Sequence, residues 1–160
     1  MPPFTFNTSR SVRFGASLIL QLGEMTRSEI GCRVLLVTDS GMLATGLVDQ
    51  VQVILANAGV DVTVFSDVVA DPPEAVVLAA TEAAKVADVD AIIGFGGGSS
   101  LDVAKLVAVL AIDNQSLKAI YGVGNITGRR LPMILIPTTS GTGSEVTPIS
   151  ILTTGKSEKM

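Results

Sequence analysis

The sequence predicts an α/β chain with a doubly wound, mostly parallel sheet covered by helices. Short apolar segments alternate with segments of helical spacing, which is typical of βαβ units. The apolar segments show no regular polar alternation, as expected for parallel strands that are buried on both faces. Hydrophobic residues make up 48% of the 160 residues, which is enough for the core of one domain. We therefore expect a single domain spanning residues 1–160.

Strand and helix signals take turns along the chain. Strand segments are short and apolar, whereas helix segments repeat their apolar residues every three or four positions. Gly59 is positioned to end one helix, and Asp71 with Pro72 to begin the next as its N-cap and first residue. Right-handed crossovers would put the carboxyl ends of the strands on one edge, where ligands bind in such sheets. We expect strands at residues 4–6, 11–14, 34–37, 60–65, 91–93 and 131–136, and helices at 16–27, 43–55, 72–87 and 100–111.

Composition excludes several classes of partner. A net charge of -4, a pI of about 4.7 and the lack of any run of Lys or Arg argue against nucleic acid. No segment approaches the roughly 18 consecutive apolar residues that cross a bilayer, and no signal peptide is visible. We therefore expect a cytoplasmic protein without a membrane partner. The high mean hydropathy of +0.55 is assigned to buried strands or to a protein interface.

The histidine and cysteine content is more restrictive still. With no histidine, the chain offers no imidazole base and no histidine-rich zinc or iron site. Its single cysteine, Cys32, excludes an intramolecular disulfide and cannot form a thiolate cluster. We expect Cys32 to be a small buried side chain, and we expect no metal site in this chain.

The first candidate site is the segment Gly96–Asp102, which follows an expected strand and opens an expected helix. Successive glycines let the backbone approach a ligand closely, and the free amides of the following helix form an anion site with the helix dipole. A pyrophosphate fits this description. Alternatively, the glycines only turn the chain while Ser99 and Asp102 cap the helix, and both roles are compatible. Unlike the usual dinucleotide fingerprint, these glycines follow the third strand of the regular pattern.

The second candidate, Asp39, stands at the end of an earlier strand, on the edge expected for the glycines. An acidic side chain at this place can accept hydrogen bonds from the ribose hydroxyls of NAD, and it would repel the 2′-phosphate of NADP. The sequence Asp39-Ser40-Gly41 is also ordinary turn and N-cap chemistry. The pattern alone leaves these two roles open.

The third candidate is the loop Pro137–Glu145, which follows the last expected strand. Five hydroxyl side chains and two glycines in nine residues make it polar, with an accessible backbone. A plain surface loop can be as rich in Ser and Thr, but its position opposite the glycine segment favours a ligand role. Glu145 is either a functional carboxylate or a cap.

The remaining polar residues have simpler interpretations. Lys105 lies three residues after Asp102 on one helix, which predicts a local ion pair. Lys156 and Lys159 lie in a polar segment typical of a solvated turn, and Tyr121 is expected to pack against the core.

Together, the three candidate segments resemble the amino-terminal signatures of iron-containing (group III) alcohol dehydrogenases. The signatures are Asp39-Ser-Gly, Gly-Gly-Gly-Ser-Ser-Leu-Asp102-Val-Ala-Lys105 and Ile136-Pro-Thr-Thr-Ser-Gly-Thr-Gly-Ser-Glu145, in the family's order and at about its spacing. The resemblance runs from about Phe4 to the last residue. It implies a Rossmann-like fold of the dehydroquinate-synthase-like N-terminal domain type, without the family's C-terminal helical domain.

The resemblance also implies roles for individual residues. Asp39 would bind the adenosine ribose and favour NAD over NADP. Gly97, Gly98 and Ser99 would hold the pyrophosphate, with Asp102 steadying the loop or reaching toward the nicotinamide. The residues that would line the phosphate and nicotinamide side, together with a lysine that would contact the cofactor, are Thr138, Thr139, Thr142, Ser144 and Lys159.

In this family the reaction is reversible hydride transfer between an alcohol and NAD, assisted by a divalent metal, iron or zinc. One Asp and three His in the C-terminal domain hold that metal, so the resemblance implies that this chain is only the cofactor-binding half. We expect it to bind NAD without turnover and to contain no catalytic residue. The implied substrate is a small alcohol, aldehyde or ketone, and the implied assembly is a homodimer.

Two alternatives remain open at this stage. One is a lyase domain of the dehydroquinate-synthase kind, against which the Thr-rich loop argues. The other is a non-catalytic nucleotide-binding module, which the lack of histidine favours.

Overall fold

A computed structural model describes residues 9–112 and 115–154 of the chain. Its sheet has four strands in the order β2-β1-β3-β4, and every neighbouring pair is parallel. This arrangement confirms the predicted α/β class and the doubly wound sheet. The strands are β1 Arg33–Asp39, β2 Asp61–Val68, β3 Ala91–Gly96 and β4 Met133–Pro137.

Helices cover both faces of the sheet, because the chain crosses one way from β1 to β2 and the other way from β2 to β3. In the part of the chain that the structure describes, the helices are α1 Leu22–Glu29, α2 Ser40–Ala44, α3 Leu47–Asn57, α4 Glu74–Val86 and α5 Gly98–Leu110. Short 3₁₀ turns add Leu18–Gln21 and Leu117–Ile120. None of these helices is long and apolar enough to pass through a bilayer.

The central strand β1 is buried on both faces. Leu35 and Val37 pack into the core with α4 and α5, whereas Val34 and Leu36 pack into the core with α1 and α3. Burying one such side chain stabilises the fold by about 1.5–3 kcal/mol. The two-sided core explains why the strand sequence is apolar at every position from 34 to 37.

Helix α5 is buried at every position from Ser100 to Leu110. Its close approach to the sheet depends on Gly94 in β3, where an added Cβ would lie 2.9 Å from Cβ of Ala104 and 3.0 Å from Cδ2 of Leu135. On another side the amide of Leu131 donates to the carbonyl of Ala108 at 2.7 Å. Much of the high hydropathy therefore belongs to a buried helix as well as to strands.

The helix expected at residues 43–55 is divided into α2 and α3. Helix α2 begins early because the Asp39 carboxylate accepts the Met42 amide at 3.0 Å as its N-cap. The chain then turns at Gly46, whose φ of +73° is readily adopted by glycine, before α3 begins. Gly59, with φ of +73°, follows the end of α3 as predicted.

The prediction that Asp71 is an N-cap is wrong. Helix α4 has Pro73 as its N-cap residue, in an extended conformation, and begins one residue later at Glu74. Pro73 disfavours the helical conformation for the residue before it, so the helix does not begin at Pro72. Asp71 instead adopts a φ of +48°, and its carbonyl accepts the Thr153 hydroxyl at 3.0 Å.

The amino-terminal elements differ most from expectation. Residues 11–14 form no strand in the structure, and Phe14 is fully exposed. A strand needs a neighbour for its backbone hydrogen bonds, and no described residue supplies one here. The expected helix at 16–27 is a 3₁₀ turn followed by α1, and the expected strand at 4–6 lies outside the described residues.

Cys32 is exposed, which contradicts the prediction of a buried side chain. It stands one residue before β1, where the chain has not yet entered the core. Its backbone is fixed, because the amide donates to Oδ1 of Asp90 at 3.0 Å.

Candidate functional site

The carboxyl ends of β1, β3 and β4 lie side by side at one edge of the sheet, with β3 in the middle. They end at Asp39, Gly96 and Pro137. Gly96 and Pro137 are partners in the β3–β4 register, and the Thr138 amide donates to the Gly96 carbonyl at 2.9 Å. The three segments singled out from the sequence therefore meet at the predicted edge.

The glycine bend, residues 96–100, lies directly against the threonine loop, residues 137–145. A Cβ added to Gly97 would be in ordinary contact with Thr139, 3.6 Å from Oγ1 and 3.7 Å from Cγ2. A Cβ added to Gly98 would be more crowded, 3.0 Å from Cγ2 of Thr142 and 3.2 Å from Oγ of Ser144. Glycine at position 98 thus lets the bend and the threonine loop approach each other closely.

Helix α5 starts in the glycine bend and has no side-chain cap. Its N-cap is Gly97, and the first amide that bonds back is that of Leu101, at 3.2 Å from the Gly97 carbonyl. The amides of Gly98, Ser99 and Ser100 precede this bond, so they belong to the positive, donor-rich end of the helix. The alternative in which Ser99 and Asp102 cap the helix is not what the structure contains. These backbone donors suit an anion such as a pyrophosphate.

Asp102 and Lys105 form the ion pair that their spacing predicts. Oδ1 and Nζ are 2.9 Å apart, and each side chain is only 8% exposed. Lys105 also donates to the carbonyls of Thr147 and Ile149, while Oδ2 of Asp102 accepts the Ile151 amide at 3.2 Å. The pair therefore ties the segment that follows the threonine loop to α5. These contacts are those of a residue that steadies the loop, one of the two roles implied for Asp102.

Asp39 is half-buried at the end of β1 and holds two hydrogen bonds. Oδ1 accepts the Met42 amide at 3.0 Å, and Oδ2 accepts the Ser100 hydroxyl at 3.2 Å. The turn and N-cap role that the sequence left open is thus present. An ionised carboxylate has about four acceptor positions, so these bonds leave roughly one free position on each oxygen. Two free acceptors on one group suit the two hydroxyls of a ribose.

Ser100 lies within the first candidate segment, but no role was predicted for it. It is 1% exposed, and its hydroxyl reaches across from α5 to the end of the neighbouring strand β1. The contact needs Gly96, because a Cβ there would lie 2.8 Å from Oγ of Ser100 and 3.1 Å from Oδ2 of Asp39. The predicted common edge of the parallel strands placed these segments together. It did not indicate which serine of the first helical turn faces Asp39.

The other predicted residues divide into three groups. Thr138, Thr139 and Thr142 are exposed at the sheet edge, whereas Ser144 is buried and its amide donates to Oγ1 of Thr142 at 3.4 Å. Lys156 and Lys159 lie outside the described residues.

Tyr121 packs against the core as predicted. Its burial, together with the nearby Glu74 carboxylate, raises the pKa of Tyr121 to about 12.

A metal site is not found in the part of the chain that is described. No group of three or more His, Cys, Asp or Glu side chains comes together there. A cavity of about 290 Å³ beside α4 and the second 3₁₀ turn is lined by residues of those two elements and of the end of α5. It contains none of the predicted site residues, so it is separate from the sheet edge.

Comparison with protein families gives one match that spans most of the chain. The model of the iron-containing alcohol dehydrogenases matches residues 9–160. The chain is 48% identical over 125 residues to long-chain-alcohol dehydrogenase 1 of Geobacillus thermodenitrificans, covering 74% of this chain and 31% of that protein. It is 35% identical over 147 residues to 1,3-propanediol dehydrogenase of Citrobacter freundii, covering 91% and 38%. The chain thus spans about a third of the length of these relatives.

Solved structures share the fold. A 1,3-propanediol oxidoreductase superposes with a TM-score of 0.92 at 30% identity, over 99% of this chain and 42% of that chain. NADH-dependent butanol dehydrogenase A of Thermotoga maritima gives 0.87 at 32% identity, over 99% and 40%. Sulfoacetaldehyde reductase of Bifidobacterium kashiwanohense, solved in complex with NAD+, gives 0.86 at 26% identity, over 99% and 42%.

Proposed function

This chain belongs to the iron-containing alcohol dehydrogenase family, and from that premise we propose that it is the cofactor-binding half of an NAD-dependent alcohol dehydrogenase. One observation carries the proposal: a carboxylate, the free amides of a helix start and a hydroxyl-rich loop meet at one sheet edge. Asp39 is 3.2 Å from Ser100 in the glycine bend, and Gly97 in the same bend faces Thr139. These groups match the ribose, the diphosphate and the polar nicotinamide end of one dinucleotide.

Each group has a separate part in binding. The amides of Gly98, Ser99 and Ser100 hold the pyrophosphate, because they are donors at the positive end of α5. Asp39 accepts hydrogen bonds from the adenosine ribose and disfavours NADP, since its negative charge repels a 2′-phosphate. Thr138, Thr139, Thr142 and Ser144 line the other side. For Lys159, which lies outside the described residues, the proposed cofactor contact rests on the family resemblance alone.

The cofactor, when bound, supplies a nicotinamide that accepts or donates a hydride. The residues of this chain hold and orient it. Asp102 and Lys105 act indirectly, because their buried pair fixes to α5 the segment that follows the threonine loop. The chain supplies no histidine to move a proton. We therefore assign binding and orientation to these residues, and no catalytic residue.

The divalent metal of the family does not fit the described residues, since they assemble no cluster of ligands. We propose that residues 1–160 form one domain and that the metal, the substrate pocket and the catalytic groups belong to a second, helical domain. The substrate is a small alcohol, aldehyde or ketone, as the names of the relatives suggest. A homodimer in the cytoplasm is the proposed setting.

Titration of the chain with NADH and NADPH, followed by nucleotide fluorescence, tests the proposal. We expect NADH to bind more tightly, and Asp39→Ala to weaken NADH binding by about 10- to 100-fold, the equivalent of charge-assisted hydrogen bonds. The matched control is Asp61→Ala, which removes the same charge from an exposed position at the opposite end of the neighbouring strand. Asp61→Ala should change the dissociation constant of neither NADH nor NADPH.

Two results would contradict the proposal. If ATP binds as tightly as NADH and Asp39→Ala has no effect, the chain is a general nucleotide-binding module. If the chain alone oxidises an alcohol in a metal-dependent assay, the assignment of the catalytic groups to a second domain is wrong.

A further inference from the structure

We propose that Ser100 is a positioning residue that holds the Asp39 carboxylate in the orientation that binds a ribose, and that it thereby helps to set the preference for NAD over NADP. This inference rests on the proposed function. It concerns the side-chain hydroxyl of Ser100, whereas the proposed function uses the backbone amide of this residue for the pyrophosphate.

The first observation in support is that the two carboxylate oxygens of Asp39 accept from different donors. Oδ1 of Asp39 caps α2 through the Met42 amide, whereas Oδ2 accepts the Ser100 hydroxyl. The Ser100 contact is not needed to cap α2, because that cap uses the other oxygen. It therefore has a consequence for the carboxylate itself.

That consequence is orientation. The torsion that rotates a carboxylate is broad, so a single hydrogen bond at Oδ1 leaves the plane of the group poorly defined. A second donor at Oδ2 fixes the plane. The two donors belong to separate elements, α2 and α5. Each carboxylate oxygen accepts one of them and keeps about one acceptor position free. The group is thus prepared for two neighbouring hydroxyls before a nucleotide arrives.

The second support is the surroundings of the contact. Ser100 is 1% exposed, so its hydroxyl has little access to water, and the bond to a carboxylate satisfies its donor inside the fold. Gly96 leaves just enough space, since a Cβ there would approach both partners to about 3 Å. The preceding residue, Ser99, is less buried. Of the two serines in this turn, only Ser100 therefore directs its hydroxyl to Asp39.

A double-mutant cycle with Asp39→Ala and Ser100→Ala tests the inference. Dissociation constants for NADH and NADPH are measured on the chain and its variants by fluorescence titration. We expect Ser100→Ala to weaken NADH binding by about three- to tenfold, the range of one hydrogen bond, and to change NADPH binding by less than about twofold. In the Asp39→Ala background the same substitution should have no effect on either nucleotide.

Further variants separate positioning from folding. Ser100→Cys keeps a side chain of similar size with a poor donor, so it should reproduce the alanine result. Thr81→Ala is the matched control, because it also removes a buried hydroxyl. That hydroxyl donates within its own helix α4, to the Val77 carbonyl at 2.8 Å. Thr81→Ala should change neither dissociation constant. Thermal melts followed by circular dichroism establish that every variant is folded.

The outcomes distinguish the two levels of the argument. If Asp39→Ala removes the preference for NADH but Ser100→Ala leaves it intact, this inference is wrong and the proposed function stands. Equal weakening of NADH and NADPH, or the same loss in the Asp39→Ala background, also overturns it, because Ser100 would then act on general structure. If Asp39→Ala itself does not alter the preference, both the inference and the proposed role of Asp39 fail.

Discussion

Replacing Lys105 by methionine should destabilise the protein severely. The substitution keeps a long unbranched side chain but removes the charge that lies 2.9 Å from Asp102. It leaves a carboxylate that is only 8% exposed without its counter-ion, and it removes the donor to the carbonyls of Thr147 and Ile149. Breaking one half of a buried pair typically costs 3–5 kcal/mol, so we expect a loss of about that size.

Urea denaturation followed by circular dichroism measures this loss. A domain of this size unfolds with a slope of about 2 kcal/mol per molar urea, so the midpoint should fall by about 2 M. Because the whole free energy of unfolding of a domain is about 5–15 kcal/mol, the effect is a large share of it. The exposed pair Arg13–Glu29, with side chains 45% and 49% exposed, is the control. Arg13→Met should cost less than about 1 kcal/mol.

A second variant gives the experiment its sharpest outcome. Asp102→Asn together with Lys105→Met removes both charges while an amide oxygen remains to accept the Ile151 amide. We expect the double variant to recover much of the stability that Lys105→Met loses. The reasoning is refuted if Lys105→Met is as mild as Arg13→Met, since the pair would then not be buried away from water.

Three other predictions follow from the packing, the tyrosine and the cysteine. Gly94→Ala should lower the free energy of unfolding by about 1–3 kcal/mol, because the new methyl would lie 2.9 Å from Cβ of Ala104. Gly15→Ala is the control and should not lower it, since nothing lies within 4 Å of a Cβ there. Thermal melts of the two variants measure the difference. Tyr121 is the only tyrosine and there is no tryptophan, so absorbance near 295 nm should show one titration with a midpoint of about 12. Because that pKa is raised, the contribution of Tyr121 to stability is present below pH 10 and is lost as the pH rises from about 10 through about 12. Glu74→Gln should lower the midpoint of the Tyr121 titration. A wild-type midpoint of 10 would contradict the burial of Tyr121 beside Glu74. Native protein should react with one equivalent of a thiol reagent at Cys32, and protection until denaturant is added would show that the thiol is not exposed.

The parallel, doubly wound sheet and the edge that carries the site were predictable from the sequence, because they depend on apolar segments and on the general handedness of βαβ connections. Helix boundaries were less so. Asp71 has the right residue type for an N-cap, but Pro73 delays the helix through a local clash that pattern reading overlooked. The early start of α2 depends on Asp39 acting as its N-cap, a role that the sequence left open, and the break before α3 lies at Gly46.

The site itself was predictable to the level of segments rather than atoms. Asp39, Gly97 and Thr139 were correctly expected to lie near one another. Ser100 was missed, because the side of a helix turn that faces a neighbouring strand depends on how α5 sits on β3. The position of α5 on β3 depends on Gly94, which has no side chain to hold the helix away from the strand. The sequence alone does not show that α5 packs against this glycine.

The burial of α5 has a consequence for the way a ligand would be held. The backbone donors at its start belong to a helix that cannot open without unfolding the core, so the hydrogen-bonded amide protons from Leu101 onward should be among the slowest to exchange with deuterium. The facing residues 139–142 are exposed and should exchange quickly. Binding would then order the exposed threonine loop against the buried helix α5, at a cost of roughly 1–2 kcal/mol per residue that becomes fixed. Stiffening that loop alone would tighten binding without adding a single contact.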